Sequence, residues 1–561
     1  MKKRYICTAL IILTLSSCFK LDLNPLSEAT NENFYRNQTE LELAVNDLYR
    51  LDFWGNDSEL HSDNEWHRAQ LTNAVIGGTM NAEDGGVRNY WLVCYKAIAR
   101  VNSFLKNYNK ASANTAESVM NRLAAEMRVI RAYQYAKLIT HFGDVPLIND
   151  VMTLEESYGK ERTNKEEVIK FVFDELDKAV EHLPESYSTA AVQRITQGVA
   201  WGIKARLALY TEKWDVAKDA SSKVMDLAKK GLYSLNPQYG NVFTKQGTIS
   251  KEILFAIPRS EVNKVYNGAS YVQDFISRNA GGFAAWLPTR DLVDAYECSD
   301  GKPIDESSIY NPKDPFKNRD PRLSSTIVPF NTQWLGYNYS PHPDSLTIFS
   351  SKFGRKVSNK DSRAVAAFAS YTGFLWKKAI DQSWADRLVE DNDFIVMRYP
   401  EILLTYAEAK LMLDEADQSV LDAINTVRAR AYQAQLAEVS KYPSVTTLDK
   451  SQLMQVLRRE RRVEFAKEGL RYMDLIRWRL AEIIFTKPVI GLPDPGNQDR
   501  SKWPFPGVTP LDENGFADYA GFGKDVKVLI ERKFDKSKQY LWPIPAVEIR
   551  INPNIKQNPN Y

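Results

Sequence analysis

Hydrophobic positions recur every three to four residues through the first 230 residues and again after residue 398, a spacing that predicts stacked amphipathic helices. Leu41, Ala44, Val45 and Leu48 mark a helix from Thr39, its candidate N-cap, to Tyr49. Further helices are predicted over residues 91–106, 117–142 and 163–183. Residues 196–210 and 214–228 read as a hairpin whose small contact residues are Ala200, Ala205, Ala208, Ala217 and Ala220. Such a pair resembles tetratricopeptide packing, though the repeat is degenerate. From 231 to about 391 the helical period disappears into Gly, Pro, Asn and aromatics, with one short strand expected at Ile253–Ile257. Helices resume at Arg398, and a partner follows over 420–431. Residues 51–89 and 486–538 read as polar, irregular excursions, the first as surface rather than core. The pattern predicts a mainly α fold: a helical-hairpin scaffold carrying a large, loop-rich subdomain.

One stretch combines both kinds of signal. In Leu457–Trp478 an apolar stripe of Leu457, Val463, Ala466 and Leu470 alternates with Arg458, Arg459, Glu460, Arg461, Arg462 and Glu464. Opposite charges three or four apart predict pairing along the helix. Gly469 is placed to end it with a left-handed cap.

Charge narrows the function classes. There are 73 basic and 71 acidic residues. Residues 1–17 form an export leader, with Lys2, Lys3 and Arg4 before an apolar run from Ile6 to Leu15. Its removal leaves 70 basic residues against 71 acidic, a balance that excludes nucleic acid as the main partner. Leu15-Ser16-Ser17-Cys18 matches a lipobox, so Cys18 is the expected lipidated N-terminus. No other stretch is long and apolar enough to span a membrane. Cys94 and Cys298 remain, either as a disulfide or as two buried thiols.

Catalytic motifs are missing. HExxH, GxxxxGK and GxSxG do not occur. The histidines are His61, His67, His141, His182 and His342, and only His61 and His67 are near each other in sequence. Asp300-Gly301 with Asp305 offers oxygens for a structural calcium but lacks EF-hand spacing, and a turn accounts for it more simply. Carboxylates are numerous enough to leave open a glycosidase pair.

Arg461, Arg462, Glu464, Phe465, Ala466, Glu468, Gly469, Arg471, Tyr472, Asp474, Leu475, Arg477 and Trp478 resemble the C-terminal signature of the SusD/RagB family, surface nutrient-binding lipoproteins of Bacteroidota. The likeness continues through Trp91, Tyr95, Ile98 and Asn102, then Phe142 to Leu147, Leu287-Pro288-Thr289 and Arg319 to Leu323. It extends over Arg398 to Leu404, Tyr540 to Pro545 and the C-terminus, where Asn560 stands in place of the family's usual glycine. The resemblance divides the chain into a leader (1–17), an N-terminal helical region (18–230), a ligand-binding insertion (231–391) and a C-terminal helical region (392–561). It implies no enzyme and no cofactor. It implies instead a lipoprotein at the outer membrane, capturing an oligosaccharide, or in some members a peptide, for a SusC-like TonB-dependent transporter. Aromatic faces stack on sugar rings while polar groups fix hydroxyls. Trp66, Arg68, Asn89, Trp286, Trp334 and Tyr337 are the loop residues expected at that site. A secreted glycoside hydrolase and a ligand-free interaction scaffold are the readings from other classes.

Overall fold

The computed structural model describes residues 34–69, 73–188, 193–493, 495–496 and 499–561. The leader, Cys18 and the tether that follows lie outside the described residues. Nine helices of nine or more residues are found among the described ones: α1 Gln38–Asn46, α2 Gly85–Asn107, α3 Glu117–Phe142, α4 Lys165–Val180, α5 Gln197–Tyr210, α6 Trp214–Lys229, α7 Tyr399–Met412, α8 Gln418–Ala431 and α9 Lys450–Glu464. Their starts follow local capping chemistry. Asn37, rather than Thr39, caps α1 through its side chain on Glu40 N. Asp84 caps α2, Asn164 caps α4, Thr196 caps α5 and Asp449 caps α9.

Small residues set the helix spacing. Ala208 of α5, Ala217 of α6 and Ala409 of α7 meet in one buried cluster, so the C-terminal pair α7–α8 stacks on the N-terminal hairpin. Helix α3 is buried on nearly every side and therefore carries polar groups into the core. There Arg131 pairs with Glu175 of α4 at 3.0 Å, and Gln134 donates to the carbonyl of Phe53 at 2.8 Å. Buried polar groups need such partners.

The non-helical part is built from short antiparallel pairings. Strand β1 (Glu65–His67) pairs with β3 (Trp286–Pro288), and β2 (Ile253–Ile257) pairs with β8 (Phe394–Arg398), which leads directly into α7. Strands β4 (Thr332–Trp334), β5 (Tyr337–Tyr339), β6 (Thr347–Ser350) and β7 (Arg355–Ser358) form a meander. Strands β9 (Val489–Gly491) and β10 (Lys527–Ile530) pair in the last excursion.

Two expectations are corrected here. Residues 51–89 are not a surface excursion: Trp54, Asp63, Asn64, Glu65 and Trp66 are all buried. The reason is long-range pairing, because Asp63 and Asn64 meet arginines more than 390 residues away and Glu65 meets the Trp376 indole. The charges of α9, from Arg458 to Glu464, do not pair along their own helix either. Glu460, Arg461, Arg462 and Glu464 point into the core and pair with other elements. Gly469 is left-handed (φ 72°), but α9 ends five residues earlier and Lys467 is left-handed too (φ 65°). Cys94 and Cys298 are both free and buried.

Candidate functional site

The site rests on an ionic frame. Glu464, the last residue of α9, accepts from Arg398 at 2.9 Å, from Arg430 at 2.5 Å and from Arg322 at 3.0 Å. Glu460 accepts from Arg322 at 2.5 Å and Arg428 at 3.0 Å. Glu468 holds Arg398 at 2.6 and 2.8 Å and Lys378 at 2.6 Å. Burial alone would raise the Glu464 carboxyl, but Arg430, Arg398 and Arg322 outweigh it and hold the group well below the usual carboxylate range. Charges this deep are tolerable only because each is met by several opposite charges.

From this frame the sequence reaches the surface through one short strand. Arg462 and Arg471 grip Asp63, each at 2.8 Å, immediately before β1. Thr289 then fixes the partner strand, donating its hydroxyl to the Asp63 carbonyl at 2.6 Å and its amide to Asn64 at 2.9 Å. The register places Trp66 opposite Leu287 and His67 opposite Trp286, and Arg68 N extends the pairing to the Ala285 carbonyl. Alternation along a strand sends successive side chains to opposite faces. Trp66 therefore faces inward, 1% exposed, with its ring 6.1 Å from Tyr371. His67 and Trp286 lie at the other face, edge to face at 5.3 Å, and Trp286 leans on Phe275 at 5.3 Å.

The next residue, Arg68, is met by a further loop. The guanidinium of Arg68 sits 5.4 Å from the ring centre of Phe368, itself 59% exposed, and donates to the Phe368 carbonyl. Arg363 lies 4.5 Å from the centre of the Tyr371 ring. The loop holding Arg278 is stapled to the loop holding Phe368 by Asp361. Its carboxyl accepts Arg278 N at 2.7 Å and Asn279 N at 3.4 Å, while Asn279 Oδ1 accepts Asp361 N at 3.2 Å. Phe283, 42% exposed, precedes Trp286 by three residues. Burial keeps His67 below its ordinary value despite nearby Asp274, so its imidazole is neutral at pH 7. The arrangement offers flat rings beside guanidinium donors, which is chemistry for holding a ligand rather than for moving protons or electrons.

The expected residues are thus divided. Arg68 and Trp286 lie on adjacent paired segments, joined through the Arg68 N to Ala285 carbonyl bond. Trp66 is a core residue, and its ring has no open face. Trp334 and Tyr337 lie opposite each other on the β4–β5 hairpin, both 8% exposed, so they too are packing residues. Asn89 is exposed in the first turns of α2, not in a loop. The sequence reading missed Phe283 and Phe368, which no periodicity distinguishes from other loop phenylalanines.

Metal chemistry has little to build on. No group of three or more His, Cys, Asp or Glu is placed to hold an ion among the described residues. His61 packs against Tyr472 and Trp542, away from His67. Asp300 accepts from Lys302 N and from the Ser307 hydroxyl within its own turn, whereas Asp305 accepts from Leu511 N, 206 residues away. No helix among the described residues is long and apolar enough to cross a membrane.

Comparison with known proteins gives a consistent picture. The model of the SusD family matches residues 251–561, and one described as "starch-binding associating with outer membrane" matches residues 29–209. SusD-like protein P2 of Formosa agariphila is 23% identical over the full length of both chains. A SusD-like protein of Bacteroides ovatus is also 23% identical, covering 84% of this chain and 81% of its own. Among solved structures, a SusD-like carbohydrate-binding protein of Bacteroides fragilis superposes with a TM-score of 0.76 at 28% identity, covering 93% of this chain and all of its own. A laminarin-binding SusD-like protein shares the fold at 19% identity with a TM-score of 0.61, covering 94% of this chain and all of its own. With a family match spanning more than half of its length, this chain belongs to the SusD family.

Proposed function

We propose that this protein captures oligosaccharides at the cell surface and hands them to a SusC-like TonB-dependent transporter in the outer membrane. The observation that carries the reading is the exposed Phe368 ring beside the Arg68 guanidinium, with half-buried Trp286 on the strand that Arg68 N pairs with. Aromatic faces of this kind stack on the apolar face of a sugar ring, and the guanidinium fixes its oxygens. Family membership and the printed names of the carbohydrate-binding and laminarin-binding neighbours support it. The lipid anchor on Cys18 rests on the leader and lipobox in the sequence. The protein acts as a binding component and not as an enzyme.

The test is a glycan array, with thermal-shift follow-up, on the protein beginning after Cys18. Retention of a glycan that also raises the melting temperature supports the reading. Silence across plant, host and microbial glycans, with stabilisation by peptides instead, would replace it with peptide capture.

A further inference from the structure

The ionic frame and the patch treat arginine differently. Within the frame, Arg322, Arg398, Arg428 and Arg430 each meet one or more carboxylates within 3 Å. At the patch three guanidiniums stand on adjoining segments without such a partner among the described residues. Among the described residues Arg68 donates to the Phe368 carbonyl and to no carboxylate, and its charge is penalised by burial and then by neighbouring Arg278. Arg278 and Arg363 make no ion pair among the described residues, and the Nε–H of each is buried without an acceptor. All three are half-buried. Two carboxylates lie near, and neither closes the charge. Asp274 is close enough to ease Arg68 and His67 but forms no ion pair with Arg68 among the described residues. Asp361 spends its oxygens on the backbone amides of Arg278 and Asn279 and is itself buried. His67, held below its ordinary value by burial, supplies no negative charge. Like charges held together at a partly desolvated surface repel, and an anion from outside relieves that repulsion.

We infer that the patch selects anionic glycans: Arg68, Arg278 and Arg363 receive a carboxylate or sulfate borne on a sugar whose ring lies against Trp286 and Phe368. This rests on the glycan-capture reading and names its substrate class. Uronate carboxylates and sulfate esters share the required chemistry, because both present planar or trigonal arrays of oxygens to a guanidinium fork.

The experiment is calorimetric titration of the protein beginning after Cys18 with three probes: oligogalacturonate, a sulfated galactan oligosaccharide and laminarin oligosaccharide. At least one anionic probe is expected to bind tenfold or more tightly than laminarin oligosaccharide, and to weaken steeply between 50 mM and 500 mM NaCl. Arg278→Gln and Arg363→Gln should each weaken the anionic probe by roughly tenfold or more, the scale of a lost charged hydrogen bond, while Arg278→Lys retains part of the affinity. The wild-type salt series stands independently of how well the variants fold. Equal or tighter binding of the neutral probe, insensitive to salt, would overturn anion selection and leave glycan capture standing. Failure of all three probes to bind would overturn both.

Discussion

Asp63 and Arg471, 408 residues apart in the sequence, form a two-point ion pair, Nε to Oδ1 at 2.8 Å and Nη2 to Oδ2 at 3.0 Å. Asp63 lies two residues before the strand that leads to His67 and Arg68, and Arg471 starts a short helix, Arg471–Arg477, within the family signature. The pair is the link through which the signature positions the binding patch. Removing one member of a buried pair strands the other's charge. Asp63→Ala is expected to destabilise the protein by about 3–5 kcal/mol, read from chemical denaturation. A change below 1 kcal/mol would show that the pair is dispensable.

Acid should expose the same link. Burial alone would raise the Asp63 carboxyl, but Arg462 and Arg471 outweigh it and hold it well below its ordinary value of 3.8. A depressed carboxylate contributes stability that is present above its unfolded pKa and lost as pH falls through the folded one. The unfolding midpoint in urea should therefore drop as pH falls below about 4, and drop less in Asp63→Asn, which has no charge to lose.

Asp361 predicts the opposite trend. Burial raises its carboxyl to about 6, against the lowering effect of the Arg278 and Asn279 amides. A raised pKa favours the protonated folded state, so this contribution is full below pH 4 and is lost as pH rises through about 6. Asp361→Asn keeps an acceptor for Arg278 N and removes the titration. Relative to wild type it should gain on the order of 2–3 kcal/mol between pH 4 and pH 7.5, and a pH-independent difference would contradict this.

Gly469 combines two constraints. Its φ is 72°, and a Cβ there would lie 2.1 Å from the Asp57 carbonyl oxygen, while its amide donates to Glu59 at 2.9 Å. Gly515 has a similar φ of 75° with open space around it. Gly515→Ala should cost about 1 kcal/mol, the left-handed penalty alone, and Gly469→Ala about 3 kcal/mol or more. Equal losses in thermal or urea unfolding would remove the close-approach argument.

The helical frame was legible because period and caps are local. The 117–142 helix and the strand at Ile253–Ile257 are found with the expected bounds. What the sequence hid was set by distant partners. Asp63, Asn64 and Glu65 look like surface residues until Arg462, Arg471 and the Trp376 indole, which donates to Glu65 at 2.6 Å, are brought to them. Trp66 and Trp286 belong to strands three residues long, too short for alternation to show which ring faces out. Trp334 and Tyr337 looked like open loop aromatics because nothing local reveals that the hairpin pairs them against the core.

The most direct measurement compares glycan affinity in two variants, Trp66→Ala and the double substitution Trp286→Ala with Phe368→Ala. Glycan capture at the patch predicts that the double variant loses binding while its melting temperature stays within a few degrees of wild type. Trp66→Ala, which empties a core position, should instead lose about 3–5 kcal/mol of stability. Full affinity in the double variant would place the ligand elsewhere on the molecule and contradict the account.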